Sequence, residues 1–152
     1  MPPENLSPRP PSLKGAGGIG FLTLEQAVPR FVILEHDFPE PHFDLMLEDG
    51  DALRTWRLPA MPGIGKILFA PELPRHRLLY LDYEGPVSGD RGSVVRRASG
   101  SYNTIPWPDG TFLLELTHCD EPMTLHVKPV DDGWRFFCAY YFDYLSPAST
   151  TS

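Results

Sequence analysis

The segment Glu35-His36-Asp37-Phe38-Pro39-Glu40-Pro41-His42-Phe43-Asp44 gathers two imidazoles and several carboxylates between two apolar stretches. Imidazole nitrogen with carboxylate oxygen is a donor set for a divalent transition metal, and three protein ligands leave positions open for water and substrate. From His42 to Glu48 the residues alternate, setting Phe43, Leu45 and Leu47 on one strand face and His42, Asp44, Met46 and Glu48 on the other. The first face reads as core and the second as the chemical face. Proline lacks an N–H and restricts the residue before it, so Phe-Pro-Glu-Pro must turn the chain and bring His42 back beside His36. His36, His42 and Asp44 are therefore the candidate metal ligands. The plainer alternative is a group of surface histidines and aspartates beside a turn.

A second segment, His76-Arg77-Leu78-Leu79-Tyr80-Leu81-Asp82-Tyr83-Glu84-Gly85, also carries reactive side chains. As a strand over 76–83 it sets His76, Leu78, Tyr80 and Asp82 on one face, with His76 and Tyr80 roughly 13 Å apart. The two then flank a single substrate without touching each other.

The elements that must position these residues follow from pattern. Residues 1–20 are rich in Pro, Ser and Gly and read as a disordered tail. Thr23-Leu24-Glu25-Gln26 has the form of a capping box and predicts a short helix ended by Pro29. From Arg30 the pattern predicts strands over 30–36, 42–48, 52–58, 66–70, 76–83, 92–97, 100–104, 111–117, 123–128 and 133–141. Asp49-Gly50-Asp51 and Asp131-Asp132-Gly133 mark hairpins. The expected fold is mostly β, a compact antiparallel β-barrel with one short N-terminal helix. It forms one domain over 21–145, followed by a flexible C-terminus over 146–152. The Gly15–Gly20 run has no strand before it and does not qualify as a phosphate-binding loop.

Composition sets the outer bounds. With 152 residues, 41% of them hydrophobic, the chain suits one core. There is no apolar run of roughly 18 residues and no secretory pattern at the N-terminus, so no membrane span and a cytoplasmic location are expected. Cys119 and Cys138 are expected as free thiols. A net charge of −7 argues against indiscriminate polyanion binding, yet residues 52–97 hold eight bases against four acids. A local basic zone on an acidic chain suits a bounded phosphate target such as a strand end. Solvated strand faces are the plainer explanation of the same charges.

Across roughly residues 30–141 the chain resembles the 3′-phosphoesterase domain of bacterial DNA ligase D. The resemblance rests on Phe31-Val32-Ile33-Leu34-Glu35-His36-Asp37, His42-Phe43-Asp44-Leu45, Thr55-Trp56-Arg57-Leu58-Pro59, and His76 with Tyr80 ahead of Asp82-Tyr83-Glu84-Gly85. It implies a compact β-barrel and a manganese-dependent phosphodiesterase and phosphomonoesterase. Such an enzyme trims a 3′-terminal ribonucleotide to a 3′-phosphate and then removes the phosphate. By position His36, His42 and Asp44 match metal ligands, and His76 and Tyr80 match residues acting at the substrate phosphate. The implied partners are nucleic-acid 3′ ends, with a DNA ligase or polymerase acting in trans.

Two positions depart from that pattern. Met46 stands where the family has a phosphate-holding arginine, and Ala60 where it has a lysine. Arg54, Arg57 and Arg91 are the candidates to replace that charge at the substrate phosphate. The departures also favour a second reading, a catalytically weakened module that binds metal and phosphate ends. Elsewhere, His118 reads as a turn residue and His126 as solvent-facing. Trp56, Trp134, Phe136, Phe137, Tyr140 and Tyr141 read as core and barrel closure, and Trp107 as a surface contact.

Overall fold

The computed structural model describes residues 28–139. The tail over 1–20, the helix expected from Thr23, Tyr140 and Tyr141, and the segment 146–152 lie outside them. The elements are β1 (Arg30–His36), β2 (His42–Asp49), β3 (Ala52–Leu58), β4 (Ile67–Ala70), β5 (Glu72–His76), β6 (Gly85–Pro86), β7 (Ser93–Pro106), β8 (Phe112–Thr117), β9 (Met123–Val130) and β10 (Gly133–Phe137). They form one antiparallel sheet in the order β4-β10-β9-β8-β7-β1-β2-β3-β5, with β6 beside β7. Among the described residues the helical content is a single 3-10 turn over Leu78–Leu81, and no helix is long and apolar enough to cross a membrane.

The expected barrel takes the form of a curled half-barrel sheet. Its edge strands β4 and β5 adjoin in sequence through Pro71, and the Arg57 N–H of β3 donates to the Pro71 carbonyl at 3.1 Å. The Trp134 indole on β10 donates to Glu72 on β5 at 3.0 Å. The two edges therefore meet through individual hydrogen bonds rather than a continuous ladder.

Three strand expectations are corrected. The segment 76–83 is not a strand, because β5 ends at His76 and Leu78–Leu81 wind into the 3-10 turn. That winding packs Leu78, Tyr80 and Leu81 against one apolar cluster, which strict alternation forbids. The strands expected over 92–97 and 100–104 are one strand, β7, bent around a register shift opposite Ile33 and Leu34. Further along β7, Gly100 lets the 117–118 backbone approach closely, since a Cβ there would fall 2.7 Å from the His118 carbonyl oxygen. The last strand stops at Phe137, beyond which Cys138 makes only an isolated bridge to Ile64.

The apolar residues divide between two clusters. The larger fills the inside of the curl with Phe31, Ile33, Leu45, Leu47, Trp56, Leu58, Leu114, Leu125, Val127 and Phe136 among its members. The smaller lies on the opposite face of β1 and β2 and joins Val32, Leu34, Met46, Leu53, Leu81 and Val94 under the 3-10 turn. This explains the unbroken apolar run Phe31–Leu34: β1 is covered on both sides. The Arg30–Asp82 ion pair, 2.6 Å, ties the end of that turn to the start of β1. Both side chains are exposed, so the pair contributes little beyond position. Cys119 and Cys138 are free thiols.

Trp56 is fully buried, with ring centroids 5.7 Å from Phe136 and 6.0 Å from Trp134. Trp56→Ala removes the largest side chain of the main core and is expected to lower unfolding free energy by about 3–5 kcal/mol in urea titrations.

Candidate metal centre

The β1–β2 ladder aligns His36 with His42, Leu34 with Asp44 and Val32 with Met46. The β2–β3 ladder sets Arg57 opposite Asp44 and Thr55 opposite Met46. Residues opposite each other share a face, so His36, His42, Asp44 and Arg57 all point to the side of the smaller cluster. His36 and His42 close the strand ends of the hairpin, with ring centroids 4.9 Å apart and planes inclined at 65°.

Ring hydrogen bonds fix which nitrogen of each histidine faces the centre. His42 Nδ1 lies 2.8 Å from the Glu40 carbonyl, and His36 Nε2 lies 2.7 Å from the Arg91 carbonyl. A carbonyl only accepts, so both ring atoms carry the proton and donate. In the neutral ring the lone pairs then sit on His36 Nδ1 and His42 Nε2. Those two atoms approach Asp44, His42 Nε2 at 3.4 Å from Oδ1 and His36 Nδ1 at 3.9 Å from Oδ2. One ligand atom from each residue lies within 4.8 Å of the other two.

The residues fit a metal on their own terms. His42 and Asp44 are 6% and 3% exposed, and His42 Nε2 and Asp44 Oδ1 are buried without a hydrogen-bond partner. Orphaned polar atoms in such positions are unfavourable unless a cation completes them. Histidine ligands anchored through their distal N–H to carbonyls are the usual second layer of a metal site.

The anchoring extends to the loop between β6 and β7. The Asp37 N–H donates to the Ser93 carbonyl, and the Ser93 N–H donates to Asp37 Oδ1 at 2.8 Å. Gly92 lies between these bonds with φ +75°, and a Cβ there would collide with Asp37 Oδ1 and approach Phe38 Cβ to 2.7 Å. The loop thus seats the residue after His36 while its Arg91 carbonyl orients the ring.

Beside the ligands opens a cavity of about 470 Å³, lined in part by His36, Asp44, Arg57, His76, Tyr80 and Arg91. His76 and Tyr80 are closer than the strand reading implies, with ring centroids 6.0 Å apart, because the 3-10 turn folds Tyr80 back toward His76. His76 Nδ1 donates to the Pro74 carbonyl at 2.9 Å, leaving Nε2 as its proton-exchanging atom. Burial raises the Tyr80 pKa above the usual phenol value, Arg77 and Arg91 pull it down and Tyr83 adds to the rise. Tyr80 therefore remains an O–H donor at neutral pH.

The expected phosphate contacts separate. Arg54 lies on the other face of β3, paired with Glu72 at 2.7 Å and stacked 4.6 Å over Trp56, away from His36, His42 and Asp44. Strand parity accounts for this, since positions 54 and 57 point oppositely. Arg91 lines the cavity, but its guanidinium is bound to Ser88 in its own loop. Arg57 lines the cavity beside Asp44. Met46 is 1% exposed and packs in the smaller apolar cluster, and Ala60 packs against the main core.

Arg75 and Arg77 also line the cavity, as does Phe38 on the turn. Sequence reasoning missed all three. The two arginines flank His76, and Pro74 within β5 hid the edge strand that carries Arg75. Trp107 is 44% exposed, as expected of a surface contact, whereas His126 is half-buried against the Trp107 and Phe137 rings. No protein-family model matches the chain, and no curated protein matches it.

Two outcomes are expected from metal titration. A divalent metal at about a hundred times its Kd adds about 2.7 kcal/mol to wild-type stability; His42→Ala abolishes that gain, read as the Tm difference with and without chelator. Gly92→Ala, which disturbs the seat of His36 and leaves the ligands in place, lowers metal affinity by about tenfold or more in calorimetric titration.

Proposed function

We propose that this chain is a metal-dependent phosphoesterase that processes nucleic-acid 3′ ends. It removes a 3′-terminal ribonucleotide and a 3′-phosphate, with manganese held by His36, His42 and Asp44. The observation that carries the reading is the shared cavity: two metal-directed ligands, His76, Tyr80 and four arginines line one opening in which Asp44 is the one carboxylate. Such a surface attracts a phosphate and surrounds it with proton donors. The sequence resemblance to the ligase D 3′-phosphoesterase domain points to the same reaction.

A divalent ion bound there supplies Lewis-acid charge to a phosphate oxygen and acidifies a bound water. The protein's own residues supply the rest. His76, fixed through Nδ1, takes up a proton at Nε2 and delivers it to the leaving alkoxide. Tyr80 donates its hydroxyl to a phosphate oxygen, a role that requires the phenol form its burial favours. The product, a 3′-hydroxyl, is the group that a ligase or polymerase acting in trans must have.

Met46 favours a second reading. The position matching the family's phosphate-holding arginine is buried in an apolar cluster, which suits a module that binds metal and phosphate ends without turnover.

An end-processing assay separates the two. With manganese and primer-templates ending in a 3′-ribonucleotide or a 3′-phosphate, wild type is expected to yield 3′-hydroxyl ends. His76→Ala is expected to fall about 10²- to 10⁴-fold, the range of a lost general acid. End binding with no product at any enzyme concentration establishes the non-catalytic module instead.

A further inference from the structure

Four arginines line the cavity, and the hydrogen bonds of Arg75 and Arg91 already commit those two. Arg75 donates to the Asp49 carboxylate at 2.6 Å and to its carbonyl at 3.2 Å. The Arg91 guanidinium is held by Ser88 at 2.7 and 3.0 Å. Arg57 differs. It stands across the ladder from the metal-directed Asp44, yet among the described residues its guanidinium makes no ion pair within 4.0 Å. Its Nε is sealed from solvent without a hydrogen-bond partner. Arg57 as a residue lines the cavity, and a guanidinium there with no ion-pair partner and a buried, unpartnered Nε is unfavourable unless an anion completes its charge.

We infer that Arg57 is the residue that holds the substrate's terminal phosphate, from β3 and not from the Met46 position on β2. This inference rests on the phosphoesterase reading. Met46 cannot serve, since it is apolar and packed against Val32, Leu34, Leu53 and Val94. One ladder step separates Arg57 from a metal ligand, so a phosphate seated between them meets charge from both strands.

The charge also bears on the form of phosphate. Two neutral imidazoles, one carboxylate, one divalent ion and the Arg57 guanidinium carry about +2, and Arg91, held only by neutral Ser88, adds to it, so the cavity suits the dianion of a phosphomonoester near neutral pH. A phosphodiester, with one negative charge, matches less well. Arg57 therefore acts chiefly on the 3′-phosphate end.

The test compares manganese-loaded wild type, Arg57→Gln and Arg54→Gln for binding to one oligonucleotide ending in a 3′-phosphate or a 3′-hydroxyl, under conditions too brief for turnover. Arg57→Gln is expected to weaken 3′-phosphate binding about ten- to hundredfold. It should leave 3′-hydroxyl binding within about twofold, and Arg54→Gln should leave both unchanged. Metal affinity, measured separately, should be retained in Arg57→Gln. A second readout needs no substitution. In zinc-loaded wild type, the protected Arg57 Nε–H resonance, found by its loss in Arg57→Gln or Arg57→Lys, should shift on adding the 3′-phosphate oligonucleotide. An unmoved resonance, or undiminished 3′-phosphate preference in Arg57→Gln, overturns the role of Arg57 and leaves the phosphoesterase reading standing. Manganese binding by wild type with no preference for the 3′-phosphate end overturns both.

Discussion

The pairing of His36 with His42 across the β1–β2 ladder is the constraint on which the site depends. Side chains alternate along a strand, so a one-residue slip would send His42, Asp44 and Met46 to the inside of the curl and Leu45 and Leu47 to the outer face. The two apolar clusters prevent that slip. Leu45 and Leu47 are locked into the main core while Val32, Leu34 and Met46 are locked into the smaller one. The hydrophobic pattern on both faces of β1 and β2 thus fixes the geometry of three polar side chains at their ends.

A second contact acts on the same point from a distant part of the chain. The loop before β7 lies more than fifty residues beyond β1, yet its Arg91 carbonyl orients His36 and its Ser93 backbone clasps Asp37. Gly92 makes the approach possible by having no side chain and by adopting a left-handed backbone. The ligands sit on strands and their orienting partners on a loop, so the precision of the site comes from the sheet and its tuning from the loop.

The clustering of His36, His42 and Asp44 was legible because its evidence is local. Alternation over 42–48 assigned the faces, and the prolines forced the return of the chain. The bounds of β1 and β3 follow from similarly clear runs, Arg30–His36 and Ala52–Leu58. What was not legible depended on tertiary contacts. Leu78-Leu79-Tyr80-Leu81 fits strand alternation as a sequence, and only the packing of Leu78, Tyr80 and Leu81 against the smaller cluster selects the 3-10 turn. The continuity of β7 through Ser99-Gly100 depends on how closely the backbone at 117–118 approaches Gly100. Arg54 and Arg57 seemed equivalent by charge alone, whereas strand parity sends one onto Trp56 and the other beside Asp44.

The site stores its unfavourable terms in one place. Without a bound cation His42 Nε2 and Asp44 Oδ1 are desolvated and unpartnered, and Arg57 Nε is in the same condition one ladder step away. Each such atom carries an unfavourable term of about 1–3 kcal/mol, and their coincidence on one face distinguishes the site from scattered imperfections in packing. In the proposed site a cation would resolve His42 Nε2 and Asp44 Oδ1, and an anion would resolve the guanidinium. Seating both in one cavity also lets their charges attract at short range in a partly desolvated setting. Because the rest of both clusters is apolar and closely packed, the protein has little freedom to relieve these atoms by rearrangement. On the proposed function the unfavourable terms are available to ligand binding: the fold supplies the rigidity, and a metal and a phosphate would supply the partners that the sequence leaves out.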